Sequence, residues 1–112
     1  MTSPDACRVS LNVGAQQDLR AIVRWIAEHD SLRASEHVLD KNLKTCRGLQ
    51  LQPERGAFPP ELLALGIRHY RQVFFKPYRV IYRLIDDQVV VVVIADGRRN
   101  LKSLLEQRLL GA

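Results

Sequence analysis

The stretch from Ile67 to Arg99, IRHYRQVFFKPYRVIYRLIDDQVVVVVIADGRR, constrains the fold of this chain more than any other. It holds three runs of β-branched and aromatic residues, broken by Lys76-Pro77 and by Asp86-Asp87. Such residues fit a pleated, half-buried surface. Strands joined by connections this tight pair as antiparallel neighbours, because parallel pairing needs a long crossover. The spacing predicts strands over Ile67 to Phe75, Tyr78 to Ile85 and Gln88 to Ala95. The third, VVVVVIA, is apolar on both faces and is predicted to lie centrally in the sheet.

Upstream, Cys7 to Leu11 alternates, with Val9 and Leu11 on one side, and reads as a first strand. Ala15, Leu19, Ile22, Val23 and Ile26 then recur at helical spacing and predict an amphipathic helix from Gly14 to about His29, with Trp25 near the edge of its apolar stripe. Asp30-Ser31 breaks the pattern and offers an N-cap. Ala34, Val38, Leu39, Cys46 and Leu49, with Leu43 close by, predict a second helix that ends near Leu51, before Pro53 and Gly56. Gln52 to Gly66 reads as a loop with a helical turn around Pro60-Glu61-Leu62-Leu63. Arg98 to Leu110 reads as a short last helix with Leu101, Leu104, Leu105 and Leu109 on one side. The expected fold is α+β, a single domain over residues 1–112. An N-terminal strand and a two-helix hairpin pack on one face of a small antiparallel sheet. The opposite face is expected to be more open and lined by Arg71, Arg79 and Arg83.

Composition narrows the class. With 112 residues, 46% of them apolar and 26% charged, the chain is expected to be an ordinary soluble protein. Cys7 and Cys46 form no CxxC and have no nearby pair of histidines, so neither a disulfide framework nor a zinc site is expected. No basic start followed by an apolar core marks a signal peptide, and Val89 to Ala95 is too short to span a bilayer. These features point to a cytoplasmic protein with reduced thiols. A net charge of +5 and an isoelectric point near 9.7 favour an acidic partner.

The cations are concentrated on the meander. Arg68, Arg71, Lys76, Arg79 and Arg83 have no Asp or Glu between them. Like charges on adjacent strands repel, so their number suggests an anionic occupant. With Arg98 and Arg99 they form a set able to bind phosphate bidentately. An RNA-cleaving site needs such a clamp and groups that move protons, with the substrate 2′-hydroxyl as nucleophile. The competing reading is that single arginines are rim charges or pair with Asp86, Asp87, Asp96 or Glu106. His69 is a candidate proton shuttle or a structural strand residue. His29 and His37 are expected on the solvent side of the helices. Tyr78 and Tyr82 alternate with Arg79 and Arg83, so they are expected to face the helices as core. The last helix either completes the core or forms a flap that a partner displaces. The sequence shows no Gly-rich phosphate loop, nucleophile elbow or metal-ligand set.

Three segments together resemble the RelE/ParE superfamily of bacterial type II toxins, the plasmid stabilization proteins: AQQDLRAIVRWIAEH, PPELLALGIRHYRQ and PYRVIYRLIDDQVVVVVIADGRRNL. The resemblance covers nearly the whole chain. It implies the layout derived above, no cofactor, and a cognate antitoxin whose acidic, amphipathic tail folds along the toxin in a hetero-oligomer. It also implies one of two activities that inhibit growth. RelE-like members cleave mRNA in the ribosomal A site, and ParE-like members trap DNA gyrase and block replication. For RelE-like cleavage, Arg71, Arg79 and Arg99 fall where basic groups are kept, with His69 as substitute proton carrier. Leu105 stands where RelE has a tyrosine. The long hairpin and the GRRNL ending are more similar to ParE. The implied target-binding set is Arg68, Arg71, Arg79, Arg83, Arg98 and Arg99. The implied antitoxin-binding set is Arg71, Arg79, Arg83, Leu101 and Leu105. An inactive relic that only binds its antitoxin is the third reading.

Overall fold

Residues 8–111 are described by the computed structural model, in the order β1 (Arg8–Leu11), α1 (Val13–His29), α2 (Leu32–Leu51), α3 (Pro60–Leu63), β2 (Tyr70–Phe75), β3 (Tyr78–Ile85), β4 (Gln88–Asp96) and α4 (Lys102–Leu110). Cys7, expected to open the first strand, lies outside the described residues. The turns at Lys76-Pro77 and Asp86-Asp87 set the antiparallel meander β2-β3-β4, as their length requires. β1 then adds in parallel to the far side of β4, from Arg8 opposite Gln88 to Leu11 opposite Val91, giving the order β1-β4-β3-β2. The sheet is therefore mixed. The apolar β4 gains a partner on each side and lies inside the sheet, where a strand hydrophobic on both faces belongs.

The hairpin begins at two side-chain caps. Asn12 Oδ1 accepts from Ala15 N at 2.9 Å, and Ser31 Oγ accepts from Ala34 N at 3.0 Å. Each cap satisfies one of the orphan donors of a first turn. The apolar stripes of α1 and α2 close over Val73, Phe75, Val80, Tyr82, Val89, Val91 and Ile94, with Ala15, Cys46 and Leu49 buried among them. The other face of the sheet is covered as well. Leu62 of α3 and Leu101 and Leu105, from the start and middle of the last helical segment, bury against Tyr70, Ile81, Val93 and Ala95. Leu101 is 1% exposed and Leu105 0%, so each contributes roughly 1.5–3 kcal/mol of burial.

A register shift between Ile81 and Tyr82 pairs Ile81 with Val93 but Tyr82 with Val91, leaving Val92 as an extra residue in β4. The bulge lets Val91 and Ile94 face the hairpin while Val93 and Ala95 face α4. It also leaves polar backbone at the border of the short β1. Asp18 of α1 supplies Oδ2 to Ile94 N at 3.0 Å. Arg108 of α4 donates to Val92 O at 2.9 Å and grips both Asp18 oxygens at 2.9 and 3.0 Å. One ion pair thus joins the first and last helices across the end of β1. Gly14 makes room for it, because a Cβ there would collide with the Arg108 guanidinium.

Two boundaries differ from the sequence expectation. β2 starts at Tyr70 rather than Ile67, because Ile67 N–H is tied back to Leu62 O at 3.0 Å and closes the α3 turn. α4 starts at Lys102 rather than Arg98, because the Asp96 carboxylate accepts from Arg98 N at 2.9 Å and holds a turn there.

Candidate functional site

The two-residue turn at Lys76-Pro77 pairs Phe75 with Tyr78, so Arg71 stands opposite Tyr82 and Phe74 opposite Arg79. Cross-strand partners share a face. Tyr78 and Tyr82 face the helix hairpin, as expected, and Arg71 goes with them. Arg79 and Arg83 point to the other side. The expectation that Arg71, Arg79 and Arg83 line one open face is overturned, because the first of them lies on the opposite side of the sheet. The turn length carried that information, since it fixes the parity of every pair in the hairpin.

Arg79 is not open either. Its side chain is 8% exposed, and the Glu61 carboxylate meets it bidentately, at 2.6 Å to Nη1 and 2.8 Å to Nη2. Gln72 Oε1 accepts from its Nε at 2.8 Å. The guanidinium holds Glu61 below the usual carboxylate range, chiefly through these hydrogen bonds. Four of its five N–H donors are met inside the protein, by Glu61 and Gln72. The residue clamps α3 onto β2 and β3 instead of presenting a phosphate site.

Arg71 serves the 53–58 loop. Its Nη1 donates to Glu54 O at 3.1 Å and Gly56 O at 2.9 Å, and its guanidinium lies 4.7 Å above the Phe58 ring. Tyr82 anchors the same loop, donating to Pro53 O at 2.7 Å and accepting from Gly56 N at 3.0 Å. Burial raises the Tyr82 hydroxyl above its ordinary range, and both of its hydrogen-bonding roles are filled. Neither group is poised to move a proton.

The remaining arginines of the candidate set divide between the two ends of β3. At the Arg83 end, Arg68, His69, Arg71, Arg83 and Leu84 line a cleft of about 240 Å³. Arg68, His69 and Arg83 are exposed there, and none of the three is in an ion pair with a described residue. At the Tyr78 end, Trp25, Ile22, Tyr78, Asp96, Arg98 and Arg99 line a second cleft of about 400 Å³. Arg98 pairs with Asp96 at 2.6 Å, which keeps the carboxylate low and raises the guanidinium further. Arg99 extends from the same turn. Trp25, 60% exposed, stacks on His29 with ring centroids 4.5 Å apart. Tyr78 and Arg83 are five residues apart on one strand, or roughly 17 Å at about 3.4 Å per residue. The structure therefore brings Arg68, His69, Arg71 and Arg83 together and sets Arg98 and Arg99 apart from them.

Leu101 and Leu105, expected to contact an antitoxin, are sealed in the core beneath the sheet, so a partner would reach them only by displacing the last helix. Glu61, Gln72, Asp18 and Arg108 were not singled out by the sequence, and Trp25 was read only as a stripe-edge residue. Glu61 was placed only within a helical turn of the loop, and nothing local marks its partner 18 positions on. Among the suggested acidic partners of the arginines, Asp96 alone is in an ion pair with a described residue. Among the described residues, no helix is long and apolar enough to cross a membrane.

Comparison with protein-family models matches residues 9–101 to the ParE toxin of the type II toxin–antitoxin system parDE. No curated protein sequence matches significantly. Among solved structures, a chain of a chromosomal ParDE toxin–antitoxin system from P. aeruginosa superposes with a TM-score of 0.68 at 15% identity, covering 82% of this chain and 97% of that one. A chain of the RelBE2 toxin–antitoxin complex from Mycobacterium tuberculosis superposes with a TM-score of 0.54 at 18% identity, covering 86% and 97%. At these identities the superpositions establish a shared fold, the one expected from the sequence.

Proposed function

Because the chain belongs to the ParE toxin family of type II toxin–antitoxin systems, we propose that it arrests growth as a ParE-like poison of DNA gyrase, held in check by a cognate antitoxin. The observation that carries this reading against RelE-like mRNA cleavage is the separation of the arginines. Cleavage would need Arg79 and Arg99 on one phosphate with His69 or Arg71 beside it. Arg79 is closed by Glu61, and Arg99 and His69 sit at opposite ends of β3. A single scissile phosphate does not span roughly 17 Å of strand. Leu105, where a RelE-like tyrosine would stand, is a core residue.

The exposed cations suit a protein that engages a gyrase–DNA complex by steering and contact. Arg68 and Arg83 mark one end of the target-facing surface, and Arg98 and Arg99 mark the other, next to the exposed Trp25. A net charge of +5 suits an antitoxin with an acidic, amphipathic tail that orders on binding. The complex is a cytoplasmic hetero-oligomer. Expression of the chain without its antitoxin in growing bacteria tests the proposal. DNA breaks and replication arrest are expected, with cellular mRNA intact. Codon-positioned mRNA fragments without DNA breaks would replace this reading with the endoribonuclease one. Unimpaired growth, with the antitoxin still bound tightly, would identify a relic.

A further inference from the structure

The indole of Trp25 is held as a flat platform on the outside of α1. It is the chain's single tryptophan and is 60% exposed. His29, one turn later, stacks on one of its faces with 14° between the planes, and His29 Nδ1–H donates to Trp25 O at 2.9 Å. That bond pins the imidazole to the helix backbone, and the imidazole in turn fixes the orientation of the indole. Ala21 and Ile22, one turn earlier, line the cleft of about 400 Å³ beside Trp25. Side chains three and four apart are neighbours on a helix, so the indole face away from His29 opens into that cleft.

The rest of the cleft is polar and cationic. Tyr78, Asp96, Arg98 and Arg99 complete its lining. Burial and the neighbouring Asp96 carboxylate raise the Tyr78 hydroxyl above its ordinary range, so it stays neutral and able to donate. Asp96 is occupied by Arg98 through both carboxylate oxygens. Arg99 is exposed and in no ion pair with a described residue, which leaves the cleft with one positive charge in excess. The cleft's volume falls within the roughly 300–1,000 Å³ of small-molecule sites. Among the lining residues, Trp25 alone is a large apolar side chain that stands exposed. A single aromatic plane is too little apolar area for the centre of a protein interface, but it matches one flat ring.

We propose that this cleft binds one unpaired nucleotide, its base stacked on the free face of Trp25 and its phosphate met by Arg99. An aromatic plane for the base and a cation for the backbone are what hold single strands without reading their sequence. Bases in a duplex lie within their own stack, so an indole fixed in this way reaches only a base outside one. A free nucleotide and a single strand share this chemistry. The binding needs neither gyrase nor antitoxin, so it stands or falls separately from the reading under Proposed function.

The test uses the purified full-length chain at low salt, with a short oligothymidine and thymidine monophosphate as probes. Stacking should quench the fluorescence of the single tryptophan saturably. Quenching by the oligomer alone identifies a strand as the source, and quenching by both with like affinity identifies a free nucleotide. Anisotropy of the fluorescein-labelled oligomer then reads the variants. Trp25→Ala should weaken binding about tenfold, and Trp25→Phe less, since a smaller plane remains. Arg99→Gln should reduce the slope of log affinity against log salt by about 0.7, one phosphate contact on a single strand. Trp25 and Arg99 are both exposed, so all three variants should keep the wild-type thermal melt. Oligomer binding that ignores Trp25→Ala is charge attraction alone and overturns the proposal. An indole that neither probe quenches also overturns it, and loss of gyrase inhibition in Trp25→Ala would then assign the platform to a protein contact.

Discussion

Removing Glu61 tests the assignment of Arg79 as a clamp. In Glu61→Ala the Arg79 guanidinium, 8% exposed, loses both carboxylate oxygens and keeps only Gln72 as partner. Stranding one member of a fully buried ion pair costs roughly 3–5 kcal/mol. Glu61 retains 22% exposure, so water softens the loss, and an expected cost of about 2–3 kcal/mol follows. For a chain of this length that corresponds to a drop of about 10 °C in melting temperature. The assay is thermal and urea unfolding by circular dichroism of wild type, Glu61→Ala, Arg79→Met and the double variant Glu61→Leu/Arg79→Met. The double variant should recover most of the loss, because apolar groups replacing a whole buried pair are close to neutral. A Glu61→Ala protein within about 0.5 kcal/mol of wild type, the range of an ordinary surface change, would refute the reasoning. Arg79 would then be available to an anion after all.

The same pair gives a pH dependence. Glu61 is held below its ordinary range by Arg79, so its contribution is fully present above the normal glutamate range and is lost as pH falls through the lowered folded value. Acid unfolding followed by urea midpoints from neutral pH downward should therefore be shallower in Glu61→Gln. Asp18→Ala removes the partner of Ile94 N–H and the anchor of Arg108. It should cost about 2–3 kcal/mol and speed exchange at the Ile94 amide before that of central β3 amides. Tyr82→Phe leaves Gly56 N–H without its acceptor and Pro53 O without its donor. The expected loss is about 1–2 kcal/mol, with exchange rising first in the 53–57 loop.

The pattern-based parts of the fold were legible because they rest on local periodicity. α1, α2, β3 and β4 fall within a residue or two of the sequence expectation, and the N-cap at Ser31 is where its type places it. The parallel placement of β1 was not legible, since Val9 and Leu11 say which side is apolar but not which strand they join. Nor was the bulge, because five consecutive valines look the same from either face. The arginines show the limit most clearly. Their alternation was visible, yet the parity imposed by the Lys76-Pro77 turn went unread and misplaced Arg71. The 18-residue separation of Glu61 from Arg79 hid the ion pair that holds the buried Arg79 guanidinium. Arg68 and Arg83 were read as one set with Arg98 and Arg99, but the two pairs line separate clefts, because their distance depends on strand length and direction rather than on residue type.

We propose that this chain poisons gyrase rather than cutting RNA. Purified chain, gyrase and supercoiled plasmid, quenched with detergent, test it directly. The expected result is inhibited supercoiling together with cleaved plasmid covalently held by gyrase, abolished by prior addition of the antitoxin. Full supercoiling activity, alongside codon-positioned cuts in mRNA on translating ribosomes that disappear in Arg99→Ala, would contradict it.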